Sequence, residues 1–159
     1  MKRAVLMYQQ FAPYHVARLQ FCRPLFAAQG LEIIGLELFR KQITYDWESA
    51  PDDVPILRCD FVPGEGDTLR WSDVPKLLSR LKSTEPAVVF VNGWSTRDAL
   101  VSHAYCFGMR KPRILVSDSS DKDGKRRPHN ERCKSLISRG AGAASLPALR
   151  TQITFESWV

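Results

Sequence analysis

Hydrophobic and polar residues alternate in blocks at the start of the chain, and the blocks have the lengths of a strand, a helix and a second strand. Residues 3–8 are apolar and free of glycine, which is typical of a buried strand. Residues 14–29 carry apolar side chains at helical spacing, and Gly30 follows where a helix commonly ends. Residues 31–38 are apolar again. This pattern predicts a βαβ unit with two parallel strands.

The rest of the chain continues the alternation. Residues 39–55 are polar and contain two prolines, which predicts a loop or a short helical excursion. Arg58 and Asp60 interrupt the next apolar run, and this favours a place near the edge of the sheet. The further predicted elements are a strand at 56–62, a helix from Ser72 or Asp73 to about 83, a strand at 87–91, a helix from Ser95 or Thr96 to Gly108, a strand at 113–116 and a helix from 128 to about 139. The order predicts an α/β fold with a Rossmann-like, doubly wound and mostly parallel sheet.

Beyond Arg139 the pattern weakens. Residues 140–145 are small and have little apolar surface to bury, and Leu146-Pro147 interrupts any helix. We therefore expect one Rossmann-like domain over residues 1–140, followed by an atypical tail over residues 141–159.

The net charge of +6 comes from one part of the chain. Residues 110–139 contain ten bases and four acids, so this segment accounts for the whole excess. Such a local field attracts phosphates, nucleic acid or an anionic membrane surface. The alternative is a solvated basic face without a partner.

Cysteine usage and hydropathy indicate a cytoplasmic protein, with or without peripheral contact with a membrane. No apolar run is long enough to cross a bilayer, and the apolar run after Met1 is too short for a signal peptide. The four cysteines are far apart, which favours buried reduced thiols over a zinc site. They are Cys22, Cys59, Cys106 and Cys133.

Several kinds of chemistry are disfavoured by the motifs. The loop after the first strand, residues 9–15, has no glycine, so a dinucleotide pyrophosphate could not approach its backbone closely. No P-loop occurs, and the acidic run from Asp118 to Asp123 lacks the spacing of a calcium loop. The histidines do not define a Ser-His-Asp set. We expect neither a cofactor nor a metal.

Two candidate sites follow predicted strands. His15 begins the first helix, where it can act as an acid, a base or a hydrogen-bond donor to a substrate, or simply cap the helix at the surface. Asn92 and Trp94 flank Gly93 after the central strand. They can bond and stack on a ligand, or form a turn in which Trp94 packs on the sheet edge.

Residues 114–134 show a further pattern, in which an apolar strand ends at Ser117-Asp118-Ser119-Ser120 and a charged loop leads into a helix with Glu131 and Lys134. This segment, with Arg126 or Arg127 in its loop, resembles the N-terminal half of a family 4 glycosyltransferase of the two-domain GT-B type. Residues 12–19 are similar to the family's first acceptor loop, and Asn92 to Ser95 lie where the family places acceptor contacts. The resemblance covers about residues 3–140.

The resemblance implies transfer of a sugar from a nucleotide sugar to an acceptor, with retention of configuration and without a metal. In the family the N-terminal domain binds the acceptor, a sugar or a glycolipid, and the C-terminal domain binds the donor. His15 would bond the acceptor, Trp94 would stack on it, and Glu131 and Lys134 would order the loop at Ser117. The implied acceptor residues are His15, Asn92, Trp94, Ser117, Asp118, Arg127, Glu131 and Lys134.

The resemblance ends near residue 140, and the donor-binding residues of the family have no counterparts. We therefore expect a truncated or frame-shifted reading frame, whose product is inactive alone or depends on a separate donor-binding subunit. The alternative is a basic, non-enzymatic module that binds nucleic acid or an anionic membrane surface, with nucleic acid the less favoured partner. A free-standing nucleotide-binding protein is disfavoured by the glycine-free first loop.

Overall fold

The structure is a computed structural model, and it describes residues 1–44 and 47–116. Two short 3₁₀ turns, Glu65–Asp67 and Trp71–Asp73, precede the second helix. The strands and helices are β1 (Lys2–Tyr8), α1 (Pro13–Ala27), β2 (Leu31–Glu37), β3 (Ile56–Arg58), α2 (Val74–Thr84), β4 (Pro86–Asn92), α3 (Arg97–Gly108) and β5 (Arg113–Val116). The helix predicted from residue 128 and the tail from residue 141 lie outside the described residues.

The strands form one parallel sheet in the order β3-β2-β1-β4-β5, so β1 lies at its centre. Val5 of β1 is in register with Ile34 of β2 on one side and with Val89 of β4 on the other. The chain moves outward from β1 to β2 and β3, and then returns through α2 to the other side of β1. This reversal of direction is the hallmark of a doubly wound sheet, and it confirms the predicted fold class.

Each face of the sheet buries its own core. Val5, Leu36 and Val89 lie on the face that packs against Leu77 of α2 and Cys106 of α3. Their neighbours along the strands point to the opposite face, because side chains alternate in a strand. There Ala4, Ile33 and Val88 pack with Val16 and Leu19 of α1, together with Ala50 and Val54 from the chain between β2 and β3. Helices therefore cover both faces, which explains why the strands read as nearly continuous apolar runs.

The observed helix ends differ from the predicted ones in places. Pro13 is the first residue of α1, where a missing N–H costs nothing. The helix ends at Ala27, and Gly30 lies beyond it at a φ of +71°, in the turn that leads into β2. Asp73 stands at the N-cap of α2, but its carboxylate pairs with Lys76 at 3.1 Å and makes no capping bond.

The third strand is shorter than predicted. It ends at Arg58, because Asp60 adopts a φ of +52° and turns the chain out of the extended conformation. Its place at the sheet edge agrees with the prediction.

Two further predictions concern thiols and membranes. Cys106 is buried, whereas Cys22 and Cys59 are half-buried, so the prediction of buried thiols was wrong for these two; all three are free thiols. Cys133 lies outside the described residues. In the described part of the chain, no helix has the length and apolarity that a bilayer crossing requires.

Candidate functional site

The topological switch point of the sheet lies at the carboxyl ends of β1 and β4, where its two halves diverge. From β1 the chain turns onto one face as α1, and from β4 it turns onto the other face as α3. Ligands of doubly wound sheets gather at such switch points, because the loops there leave in opposite directions. We call this region the switch crevice. It is formed by residues 9–12 after β1, residues 92–94 after β4, and the first turn of α3.

A chain of hydrogen bonds spans the crevice. The amide Nε2 of Gln9 donates to Oδ1 of Asp98 at 3.1 Å. The Gln9 carbonyl oxygen Oε1 accepts from Nε2 of Gln42 at 2.9 Å. The chain Gln42–Gln9–Asp98 thus links the first turn of α3 to the connection between β2 and β3, and it fixes both amide orientations.

Asp98 is the charged member of this chain. Only 6% of its surface is exposed. Burial raises the pKa of the carboxyl group, while the hydrogen bond from Gln9 opposes the rise. Its place in the first turn of α3 favours the ionised form, since backbone N–H groups point outward there. A buried carboxylate with a perturbed pKa at a switch point is a strong candidate for ligand recognition.

Gln10 adds an unused acceptor. Its Nε2 donates to the carbonyl oxygens of Arg40 and Trp47 at 3.1 and 3.2 Å. Its Oε1 is buried and has no hydrogen-bond partner in the part of the chain that the structure describes. Because buried polar atoms are nearly always bonded, an orphaned acceptor indicates a place for a donor group of a ligand or a water molecule.

The structure places Asn92 and Trp94 at the carboxyl end of β4, as predicted, and both are half-buried. Gly93 between them has a φ of +73°, and its N–H donates to the carbonyl oxygen of Val116 at 2.8 Å. His103 Nε2 lies 3.2 Å from the Gly93 carbonyl oxygen. In the tautomer that carries its proton on Nε2, His103 therefore holds this loop from below.

His15 lies in the same region, but its ring is enclosed. Only 7% of its surface is exposed, so it is not a surface residue, but it does take part in capping α1, because the N–H of the N-cap residue Ala12 donates to its Nδ1. The ring stacks on Tyr8 at a centroid distance of 3.7 Å and meets Tyr14 at 3.9 Å. Its Nδ1 lies 3.2 Å from both the Ala12 nitrogen and the Gln10 carbonyl oxygen. The geometry therefore gives His15 a part in ordering the first loop.

Glu37 is a residue of the region that sequence reasoning missed. It ends β2 and is 1% exposed. Its Oε1 accepts the Phe11 N–H at 2.8 Å, and its Oε2 pairs with Arg58 at 3.3 Å. An acid at the end of the second strand often binds a ribose in dinucleotide-binding folds. Here both oxygens are engaged by the protein. The available signal was an acid inside an otherwise apolar strand.

Five of the predicted acceptor residues lie outside the described residues: Ser117, Asp118, Arg127, Glu131 and Lys134. Most of the basic segment 110–139 lies there too. Among the described residues, no group of three or more histidines, cysteines or acids could hold a metal ion.

No protein-family model matches the chain, and no curated protein matches it. Nine chains of solved structures resemble it, and they include the following two. A structure from Listeria monocytogenes assigned as a UDP-N-acetylglucosamine 2-epimerase is 12% identical, with a TM-score of 0.49, over 89% of this chain and 37% of that one. MurG from Acinetobacter baumannii is 14% identical, with a TM-score of 0.49, over 89% of this chain and 40% of that one.

The chain therefore spans 37–40% of the length of these proteins. At such identities neither likeness assigns an activity or a binding residue to it.

Proposed function

We propose that this domain is the acceptor-binding half of a retaining GT-B-type glycosyltransferase, which transfers a sugar from a nucleotide sugar. In this proposal catalysis depends on a donor-binding domain or subunit. The resemblance of residues 114–134 to family 4 glycosyltransferases suggested this function. The switch crevice supports it with chemistry suited to a polyhydroxyl ligand.

The single observation that carries the proposal is the Gln42–Gln9–Asp98 hydrogen-bond chain. The next residue along the chain, Gln10, adds a buried Oε1 that has no partner among the described residues. Amides and carboxylates offer both donors and acceptors, which is what sugar hydroxyls require. The half-buried Trp94 provides an aromatic face for the apolar side of a sugar ring. Asp98 would accept hydrogen bonds from hydroxyl groups, and its buried position would strengthen them.

The proposal is tested by NMR titration of the ¹⁵N-labelled chain with a panel of free monosaccharides and disaccharides. We expect saturable shifts at the amides of Gln9, Asn92 and Trp94. Asp98→Asn should weaken the binding by about tenfold, since hydrogen bonds to charged groups are worth about 1.5–3 kcal/mol. Asp53→Asn, at an exposed position, is the control and should bind as the wild type does. Shifts that do not saturate, or equal losses in both variants, would refute the proposal.

A second candidate function is binding to an anionic membrane surface, and the outer face of α1 favours it. Tyr14, Phe21 and Leu25 are 44%, 66% and 52% exposed. They fall on one side of the helix, because their spacing of seven and four residues is close to whole turns. An ordinary surface helix shows polar residues on this side.

The charges near α1 favour a lipid surface over a second copy of the chain. Residues 1–31 contain four bases and no acid, and α1 carries Arg18 and Arg23. A two-fold interface through this face would set arginines against arginines with no acid on the helix. An apolar helix face bordered by arginines instead matches an interfacial helix that dips into anionic lipid.

Co-sedimentation with phosphatidylcholine vesicles, with and without phosphatidylglycerol, tests this candidate. We expect binding that needs phosphatidylglycerol and is lost in Phe21→Ser. Phe107→Ser is the control, since Phe107 is 73% exposed on α3 at the opposite face of the sheet. Equal binding by both variants contradicts the candidate. A dimer that is detected by light scattering and that dissociates in Phe21→Ser contradicts it as well, because the face would then bind a second copy of the chain. Salt-sensitive binding to nonspecific DNA without vesicle binding would favour nucleic acid instead.

A further inference from the structure

An open groove runs between α2 and the chain that follows β3. Its lining residues do not belong to the switch crevice. One part, of about 340 Å³, is lined by Cys59, Phe61, Lys76, Ser79, Arg80 and Ser83. It continues into a recess of about 270 Å³ that shares Cys59, Phe61 and Lys76 and adds Asp60, Val62, Arg70, Ser72 and Asp73. We call the two together the α2 groove.

The helical period of α2 brings the polar lining residues together. Residues 79, 80 and 83 follow residue 76 by three, four and seven positions and so lie on its side of the helix. Leu77 and Leu81 lie on the neighbouring side and are fully buried against the sheet. The groove side of α2 is therefore a stripe of two bases and two hydroxyls beside the sheet edge.

The bases on this stripe have little acid to balance them. Residues 74–84 contain three bases and no acid, and Lys76 and Arg80 are four positions apart, where like charges repel. Lys76 pairs with Asp73 at 3.1 Å. In the part of the chain that the structure describes, Arg80 has no carboxylate partner within ion-pair distance.

The other groups around the groove leave this positive charge in place. Burial raises the pKa of the Cys59 thiol to about 11, although Arg80 beside it opposes the rise, so the thiol is neutral at ordinary pH. Asp60 pairs with Arg40 at 3.0 Å, and Glu37 behind the groove pairs with Arg58. Arg80 therefore faces the groove as an uncompensated cation.

We propose that the α2 groove binds a phosphate group, as a phosphate monoester or a diphosphate. Arg80 would bond two oxygens with its planar guanidinium, and the Lys76 ammonium, which also pairs with Asp73, would add a donor from the preceding turn. The Ser79 hydroxyl is a further donor to the anion. Phe61 gives an apolar wall to the rest of the ligand. The function of the groove is independent of sugar binding in the switch crevice.

The test is an NMR titration of the ¹⁵N-labelled chain with pyrophosphate at constant ionic strength. We expect saturable shifts at residues 76–83 and not at Asn92 or Trp94. Phosphate binding is therefore followed at residues 76–83, whereas sugar binding is followed at Gln9, Asn92 and Trp94. The failure of one proposal can be distinguished from the failure of the other. A parallel arm measures binding to vesicles that contain phosphatidic acid, and it separates a lipid headgroup from a soluble phosphate as the source of the anion.

Variants on α2 decide whether the groove is the site. Arg80→Ala should weaken binding by about tenfold or more, because a hydrogen-bonded charge is lost. Arg80→Lys should restore part of the affinity, since it returns the charge without the fork. Lys82→Ala is the matched control, because position 82 lies about 200° around the helix from position 80. Equal losses in Arg80→Ala and Lys82→Ala, or shifts that never saturate with either probe, would overturn the proposal.

Discussion

At the scale of single residues, the buried carboxylate of Glu37 holds the first loop of the switch crevice. It joins the Phe11 backbone to Arg58, whose guanidinium also bonds Asp52 at 2.8 Å and the Ala50 carbonyl oxygen at 2.5 Å. Glu37→Ala would leave the Phe11 N–H without its acceptor and would remove the buried carboxylate that pairs with Arg58. We expect this variant to lose about 3–5 kcal/mol of stability in urea unfolding, as when one partner of a buried ion pair is removed.

The matched control for Glu37 is Glu32 in the same strand. Glu32 pairs with Arg3 at 3.1 Å, but both side chains are more than 40% exposed. Glu32→Ala should cost less than about 1 kcal/mol. Similar small losses in both variants would mean that the carboxylate of Glu37 does not hold the loop.

We expect the stability of the domain to depend on pH through His103. Burial holds the pKa of His103 below its ordinary value; the bond to Gly93 opposes this, and Arg113 adds to it. The unfolded chain takes up the proton near about pH 6.5, whereas the folded chain resists it. The stability contributed by neutral His103 is therefore present above that pH and is lost as the pH falls below it.

We expect the urea midpoint of the wild type to fall more steeply than that of His103→Gln between about pH 7.5 and about pH 5.5. Glutamine keeps a donor for the Gly93 carbonyl oxygen but does not titrate. The comparison cancels the contribution of Asp98, whose pKa is raised and whose effect on stability has the opposite sign. Parallel slopes in the two proteins would show that His103 is not the titrating group.

At the scale of elements, the packing of the first loop on β2 depends on a missing side chain. A Cβ built at Gly35 would lie 2.6 Å from Cζ of Phe11 and 2.9 Å from Cγ1 of Ile56. Phe11 is fully buried, so its ring has no room to retreat. Gly35→Ala should destabilise the domain by about 1–3 kcal/mol in urea unfolding, as overpacked cores do.

Gly108 at the end of α3 is the control, because a Cβ there meets nothing within 4 Å. Gly108→Ala should be neutral or stabilise by up to about 1 kcal/mol, since alanine loses less backbone entropy in a helix. Equal changes in stability for Gly35→Ala and Gly108→Ala would mean that the contact between Phe11 and β2 does not cause the loss.

The bounds of some strands and helices could be predicted from the sequence, whereas those of others could not. Apolar runs placed β1, β2, β4 and β5 within a residue or two, because a buried parallel strand is apolar on both faces. The helical spacing of its apolar residues predicted α2 equally well. The end of β3 was not, because Asp60 leaves the extended conformation through its own backbone geometry. The sequence predicted that Gly35 belongs to a strand, but it did not show that the Phe11 ring occupies the space of a side chain at this position.

At the scale of the whole molecule, the topology brings distant residues together and so makes the candidate site. Asn92 and Trp94 could be predicted, because the end of β4 is visible in the sequence. The bond between Gln9 and Asp98 joins residues 89 positions apart, and the pair becomes neighbours only when β4 docks beside β1. Short-range patterns carry no information about such a pair. Chemistry at a strand end can thus be read from sequence, whereas partnership across the switch point requires the sheet order.

Cys106 provides a test of whether sheet and helices unfold as one unit. It is fully buried in the core between α3 and the sheet, and burial raises the pKa of its thiol to about 11. A thiolate-specific reagent reaches it only after α3 leaves the sheet. With the other three cysteines replaced by serine, we expect the opening free energy from Cys106 labelling to equal the unfolding free energy in urea.

A chain that keeps only Cys59, which is half-buried at the α2 groove, should react through smaller openings. Labelling of Cys106 as fast as Cys59 without denaturant would mean that α3 opens on its own, and the switch crevice would then lose Asp98 in an otherwise folded domain.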